Sequence, residues 1–111
     1  MRKILFRGKT DKGEWVQGDL SQHKTGKTFI KCGNATMSYE VIPASVGQFI
    51  SLKDKNGRKI FEGDIVKTYD EHISEIVYWG GMFCRSNGTR KWFLTDNMTV
   101  IGNIHDNPEL L

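Results

Sequence analysis

Glu62 and Asp64 stand two residues apart around a glycine in the stretch LKDKNGRKIFEGDIV, residues 52–66. Carboxylates at that spacing point to one side of an extended chain. Such a pair can serve general acid–base chemistry when a shielded pocket tunes its proton affinity. Nothing in the stretch builds a pocket, so both are expected in a solvent-facing corner, with the Asp64 side chain free to hydrogen-bond the turn backbone. The same stretch carries Lys53, Lys55, Arg58 and Lys59 around Asn56-Gly57, which raises phosphate binding. A phosphate-cradling loop has a different glycine spacing and a helix after it. This stretch has neither and is expected to be a hairpin whose four cations lie on solvent.

Other reactive types are scattered. His23, His72 and His105 are isolated along the chain, and no Cys or His pair has metal-ligand spacing. No G-x-S-x-G elbow prepares a serine nucleophile. Cys84 has Arg85 as its neighbour, and a cation favours a thiolate. On an alternating strand, however, Arg85 points to the opposite face. Cys84 and the distant Cys32 are therefore expected as buried thiols, as befits a reducing compartment. No catalytic residue, metal site or cofactor follows from these patterns.

The net charge of +3 conceals an asymmetry. Residues 1–60 hold twelve Lys or Arg against five Asp or Glu, whereas residues 61–111 hold four against eight. A basic half can present a surface to a polyanion. Dispersed lysines more simply keep strand edges soluble and discourage strand-to-strand aggregation. Tyr69, Tyr78, Trp79, Phe83, Trp92 and Phe93 crowd the second half. Such rings can stack nucleobases or hold cations, but in a short chain they are first expected as core. Trp92, beside Arg90 and Lys91, is the least core-like of them.

The elements that must carry these residues are strands. Short runs rich in Val, Ile, Phe, Tyr, Trp and Thr, broken by Gly, Asn and Asp, predict strands over 2–8, 14–20, 27–32, 47–52, 59–62, 64–69, 73–79, 82–86, 91–94 and 98–104. TDKGE at 10–14 links the first two. Asn56-Gly57 and Asn87-Gly88 signal two-residue hairpins of the mirror-turn type, and Gly80-Gly81 breaks the chain after EIVYW. A short helix fits around 40–47 or at the C-terminus, although the strand pattern needs neither. The fold class is mainly β, with N-terminal hairpins over 1–58 packed on a small antiparallel, barrel-like region over 59–106 and a tail over 107–111. The Gly-Asp-Ile-Val run leading five short strands is reminiscent of Tudor/KOW-type barrels of the Src-homology-3-like class.

The chain is too apolar for disorder, at 38% hydrophobic, and has no run approaching a membrane span. Its first apolar run, Ile4-Leu5-Phe6, is too short for a signal peptide, so a cytoplasmic setting is expected. The triplets beginning at Asn34, Asn87 and Asn97 match the glycosylation pattern but carry no weight there.

Three stretches together resemble the YopX family of bacteriophages and bacterial prophages. FRGKTDKGEWVQGDL (6–20) looks like its N-terminal hairpin, VGQFISLKDKNGRKIFEGDIV (46–66) is similar to its central signature, and VIGNIHDNPELL (100–111) looks like its ending. Family members usually carry glycine where this chain has Ser51. The resemblance implies a single YopX-like domain over 1–111, a phage or prophage origin and a small, mainly β cytoplasmic protein. It implies no activity and carries over no catalytic or binding residue.

A non-enzymatic module that binds a host or phage protein is therefore expected. The alternative is an accessory protein that binds nucleic acid weakly and without sequence preference. Lys53, Lys55, Arg58, Lys59, Arg90, Lys91 and Trp92 are the candidate polyanion or partner surface. The unlike charge of the two halves, with Leu110 and Leu111 after Asn107-Pro108, makes the tail a candidate contact in a homo-oligomer.

Overall fold

Hairpin follows hairpin along this chain because its apolar runs are short and nearly every break carries a turn-forming residue. The computed structural model describes residues 2–33 and 37–111, so the Asn34 triplet lies outside the described residues. Residues 1–49 and 50–111 form two compact units.

In the first unit, β1 (Phe6–Lys9), β2 (Trp15–Gln22), β3 (Thr28–Lys31) and β4 (Ser38–Val41) succeed one another as antiparallel hairpins. The start of β5 (Gly47–Lys53) returns to β1, with Gln48 opposite Phe6. β2 changes partner midway: Trp15–Gly18 pairs with β1, and Asp19–Gln22 with β3. Gly18 sits at the change because a Cβ there would come within 1.8 Å of the Lys31 carbonyl oxygen. Ile30, Val41 and Phe49 are buried. β4 has no counterpart among the predicted strands. Ser38, Tyr39 and Glu40 are all exposed, so no apolar alternation announces it, and only pairing with β3 makes it a strand. The helix allowed around 40–47 is a single 3-10 turn, Pro43–Ser45.

β5 continues past Phe49 into the second unit, where it neighbours β6 (Lys59–Phe61). β7 (Asp64–Lys67), β8 (Ile73–Trp79), β9 (Met82–Ser86) and β10 (Lys91–Trp92) form a meander, and β11 (Thr99–Asn103) returns to β7. The resulting five-stranded order is β10-β9-β8-β7-β11. Its core is aliphatic: Ile50, Ile60, Val66, Ile76, Met98 and Val100, with Phe83 and Leu94 partly buried against them. The protein is thus mainly β, as predicted.

The central hairpin keeps its expected place but not its expected turn. Gly57 has φ +82°, yet Asn56 is outside the left-handed region that a mirror turn demands at both positions. The Gly57 amide instead donates to Asp54 O at 3.0 Å, and the Asp54 amide to Arg58 O at 2.8 Å. The Asp54 carboxylate selects this form by accepting from the Asn56 and Arg58 amides, each at 2.9 Å. The two-residue turn with both residues left-handed lies at Gly80-Gly81, where Trp79 faces Met82.

Candidate functional site

Glu62 and Asp64 do not share a solvent-facing corner. Asp64 is fully buried, and its Oδ2 accepts the Phe61 amide at 2.8 Å. Its side chain turns back onto the hairpin because β7 enters the core at once through Ile65 and Val66, where a carboxylate survives only by hydrogen bonding. Gly63 between them donates its N–H to Ile76 O and accepts from the Ile104 amide, both at 2.9 Å. The corner is a structural joint.

Glu62 is half-buried, and its charge is felt instead by Glu75 on β8. Burial first, and then the Glu62 charge, push the Glu75 carboxyl above its usual range. Among the described residues, no group of three or more His, Cys, Asp or Glu could hold a metal ion. Cys84 is buried as expected, Cys32 only partly so, and both are free thiols. Arg85 donates from Nε to Phe93 O at 2.9 Å.

The C-terminal signature is also a built turn. Asn103 is buried, and its Oδ1 accepts the amides of His105 and Asp106 at 2.9 Å each. The Asn107 Oδ1 accepts the Asn103 amide at 3.2 Å and packs so closely on Gly102 that a Cβ there would come within 2.6 Å of it. Leu110 then sits half-buried in the 3-10 turn Pro108–Leu110, with Leu111 57% exposed.

The basic candidates fall on two elements. Lys53, Lys55, Arg58 and Lys59 belong to the central hairpin, with Lys59 half-buried and the others exposed. Arg90 and Lys91 follow the β9–β10 turn and are exposed. Trp92 reverses its expected rank. It is half-buried, its ring edge-on to His72 with centroids 4.3 Å apart.

Of the rings expected in the core, Phe83 packs against it, whereas Tyr69, Tyr78, Trp79 and Phe93 are left outside. Trp79 is 60% exposed, Phe93 78% and Met82 42%, and Tyr69 and Tyr78 are exposed as well. Aliphatic side chains already fill the space between the strands, and these rings lie at strand ends and turns. Residues directly opposite in an antiparallel pair share a face. Trp79 opposes Met82, while Lys91 opposes Ser86, which is two strand periods from Met82 and so on that same face. The Lys91 Nζ lies 5.1 Å from the Trp79 ring centroid, a cation–π distance. An exposed indole, a thioether and a cation therefore share one face of the sheet, with Phe93 just beyond β10.

The first unit holds a feature that no motif announced. A cavity of about 570 Å³ opens between the Thr10–Glu14 turn, the start of β2 and β4, lined among others by Asp11, Glu14, Trp15, Cys32, Tyr39 and Glu40. These residues are spread over thirty positions of sequence. No pattern in the sequence marks them, because their side chains meet only through the pairing of β3 with β4.

Serial β-hairpins and turn carboxylates that serve the backbone define a small, mainly β protein. The chain belongs to the YopX protein family, whose model matches residues 5–111. It is similar to the crystal structure of protein EF1440 from Enterococcus faecalis, with 28% identity, a TM-score of 0.61, and coverage of 100% of this chain and 99% of that one. No curated protein matches the chain. Among the described residues no helix is long and apolar enough to cross a membrane.

Proposed function

We propose that this is a non-enzymatic binding module of phage or prophage origin, acting in the bacterial cytoplasm. It docks a host or phage protein on the face carrying Trp79 and Met82, with Phe93 beside it. One observation carries the reading: large apolar side chains stand exposed there while the core beneath is complete without them. Aromatic and methionine side chains are enriched where proteins meet, and clusters of them supply most of the binding energy. Arg90 and Lys91 at the same place favour a partner whose apolar patch is rimmed by carboxylates.

The test is a nuclease-treated pull-down from infected or lysogenic cells with zero-length cross-linking of lysine to carboxylate. A single protein should be coupled through Lys91, and the paired changes Trp79→Ala and Phe93→Ser should abolish its capture. Capture that survives both changes overturns the reading. Loss of all capture on nuclease treatment favours the second reading, in which the Lys91–Trp79 pair and Phe93 form a stacking platform for single-stranded nucleic acid.

A further inference from the structure

The cavity in the first unit lies along an unpaired sheet edge. Among the described residues β4 pairs with β3 on one side and with no strand on the other. Beyond its end the Ile42 amide donates to Lys9 O at 2.8 Å, and the Val41 side chain sits where a Cβ on Gly8 would meet it at 2.8 Å. β4 is thereby pinned at Val41 to the end of β1. Ser38, Tyr39 and Glu40 form one wall of the cavity, and the Thr10–Glu14 turn with Trp15 forms another. The result is a groove with a backbone edge along one side, which is where an extended peptide adds to a sheet.

Its charge runs against its surroundings. Residues 1–49 hold eight Lys or Arg and four Asp or Glu, yet among the described residues Asp11, Glu14 and Glu40 line the groove against Lys12, with Lys9 reaching in from β1 over the Trp15 ring. All three carboxylates belong to exposed residues. The indole of Trp15 already holds two cations of its own chain, with the Arg7 guanidinium carbon 4.8 Å and the Lys9 Nζ 5.9 Å from the ring centroid.

We infer that this groove binds an extended, arginine- or lysine-bearing segment of another protein, which adds as a strand to the free edge of β4 and sets its cations against Asp11, Glu14 and Glu40. The edge gives the segment its backbone pairing, and the carboxylates choose a basic sequence over an acidic one. This site is separate from the aromatic face of the second unit, and either can fail without the other.

The probe is a blocked peptide alternating arginine with valine, titrated onto the isotope-labelled intact protein. Amide shifts should concentrate on residues 38–41 and 10–15, and hydrogen exchange at the β4 amides should slow. The paired changes Asp11→Lys and Glu40→Lys, both at exposed positions, should weaken binding roughly tenfold while leaving the remaining amide spectrum in place. A peptide N-methylated on alternate residues should bind more weakly than its parent. Equal binding by a glutamate–valine peptide, by the N-methylated peptide or by spermidine overturns the proposal. So does a titration that leaves residues 38–41 unshifted.

Discussion

The Asp54 carboxylate accepts the Val100 amide at 3.0 Å across 46 positions of sequence. Its other oxygen caps the central hairpin, and the Lys55 amide beside it donates to Met98 O at 3.1 Å. One buried side chain thus fastens the hairpin to the first residues of β11. Asp54→Ala strands three backbone donors and should cost about 2–4 kcal/mol, because hydrogen bonds to a charged group and their unmet partners are expensive. Asp54→Asn should cost less, since the amide still accepts at one atom. Urea unfolding of the three proteins measures the order.

The acid side of the stability curve should report the same carboxylate. Burial raises the Asp54 pKa, but the Val100, Arg58 and Asn56 amides and the Arg58 charge outweigh it, and the pKa ends below its ordinary value. A depressed pKa contributes stability that is present above the unfolded value, about 3.9, and is lost as pH falls through the folded one. Glu75 has the opposite sign. Its raised pKa makes its ionisation unfavourable to folding as pH climbs past its unfolded value. Asp54→Asn should therefore flatten the loss of stability in acid, and Glu75→Gln should raise stability at neutral pH. A Glu75→Gln protein no more stable than the parent at pH 7 contradicts this assignment.

Ser51 has φ +71°, in the left-handed region that glycine adopts most readily. A side chain there costs about 1 kcal/mol or more. Ser51→Gly should raise stability by about that amount, less the added freedom of glycine in the unfolded chain. The bend itself needs no glycine, only compensation from the strands either side. A lowered melting temperature in the variant would count against the strain.

Gly57→Val should destabilise by at least ~1 kcal/mol, because a β-branched residue tolerates φ +82° poorly. Space is not the obstacle, since nothing lies within 4 Å of a Cβ built there. Gly57→Asn should accordingly recover part of the loss, asparagine being more at ease in that region. Thermal melts of the pair separate backbone conformation from crowding.

Binding to DNA or RNA, if the stacking reading holds, should be steeply salt-dependent and indifferent to base sequence. Lysines meeting phosphates release counterions, and no α-helix is present among the described residues to read a groove. Polarisation titrations at two salt concentrations measure the slope, and tight binding that persists at high salt would be the contrary result.

Self-association should depend on the tail if Leu110 and Leu111 reach a second copy. Deleting residues 108–111 should then shrink the species seen by light scattering at low salt, where attraction between unlike charges is least screened, and leave the fold intact. A lower melting temperature with an unchanged assembly state would instead return the half-buried Leu110 to its own unit.

Local chemistry was legible from the chain itself. The 73–79 and 82–86 strands lie where their apolar runs end, because Gly80-Gly81 can turn within two residues and alternation needs no distant partner. The positive φ of Gly57 was equally local, and three ordered stretches of sequence pointed to the family that the match over 5–111 establishes. What tertiary structure decided was which polar groups go inside and which rings stay out. Asp64 reads as a turn residue until β7 carries it into the core, and Asp54 reads as a hairpin residue until β11 arrives with an unmet amide. Trp79 and Phe93 read as core because their transfer energy is large, yet burial depends on the space left between strands, and Ile, Val and Met had already filled it. The groove of Asp11, Glu14 and Glu40 exists only because β4, a strand without an apolar pattern, is pinned beside the first hairpin. Turn and strand preferences act over a few residues, whereas burial and charge clustering are set by where distant segments meet.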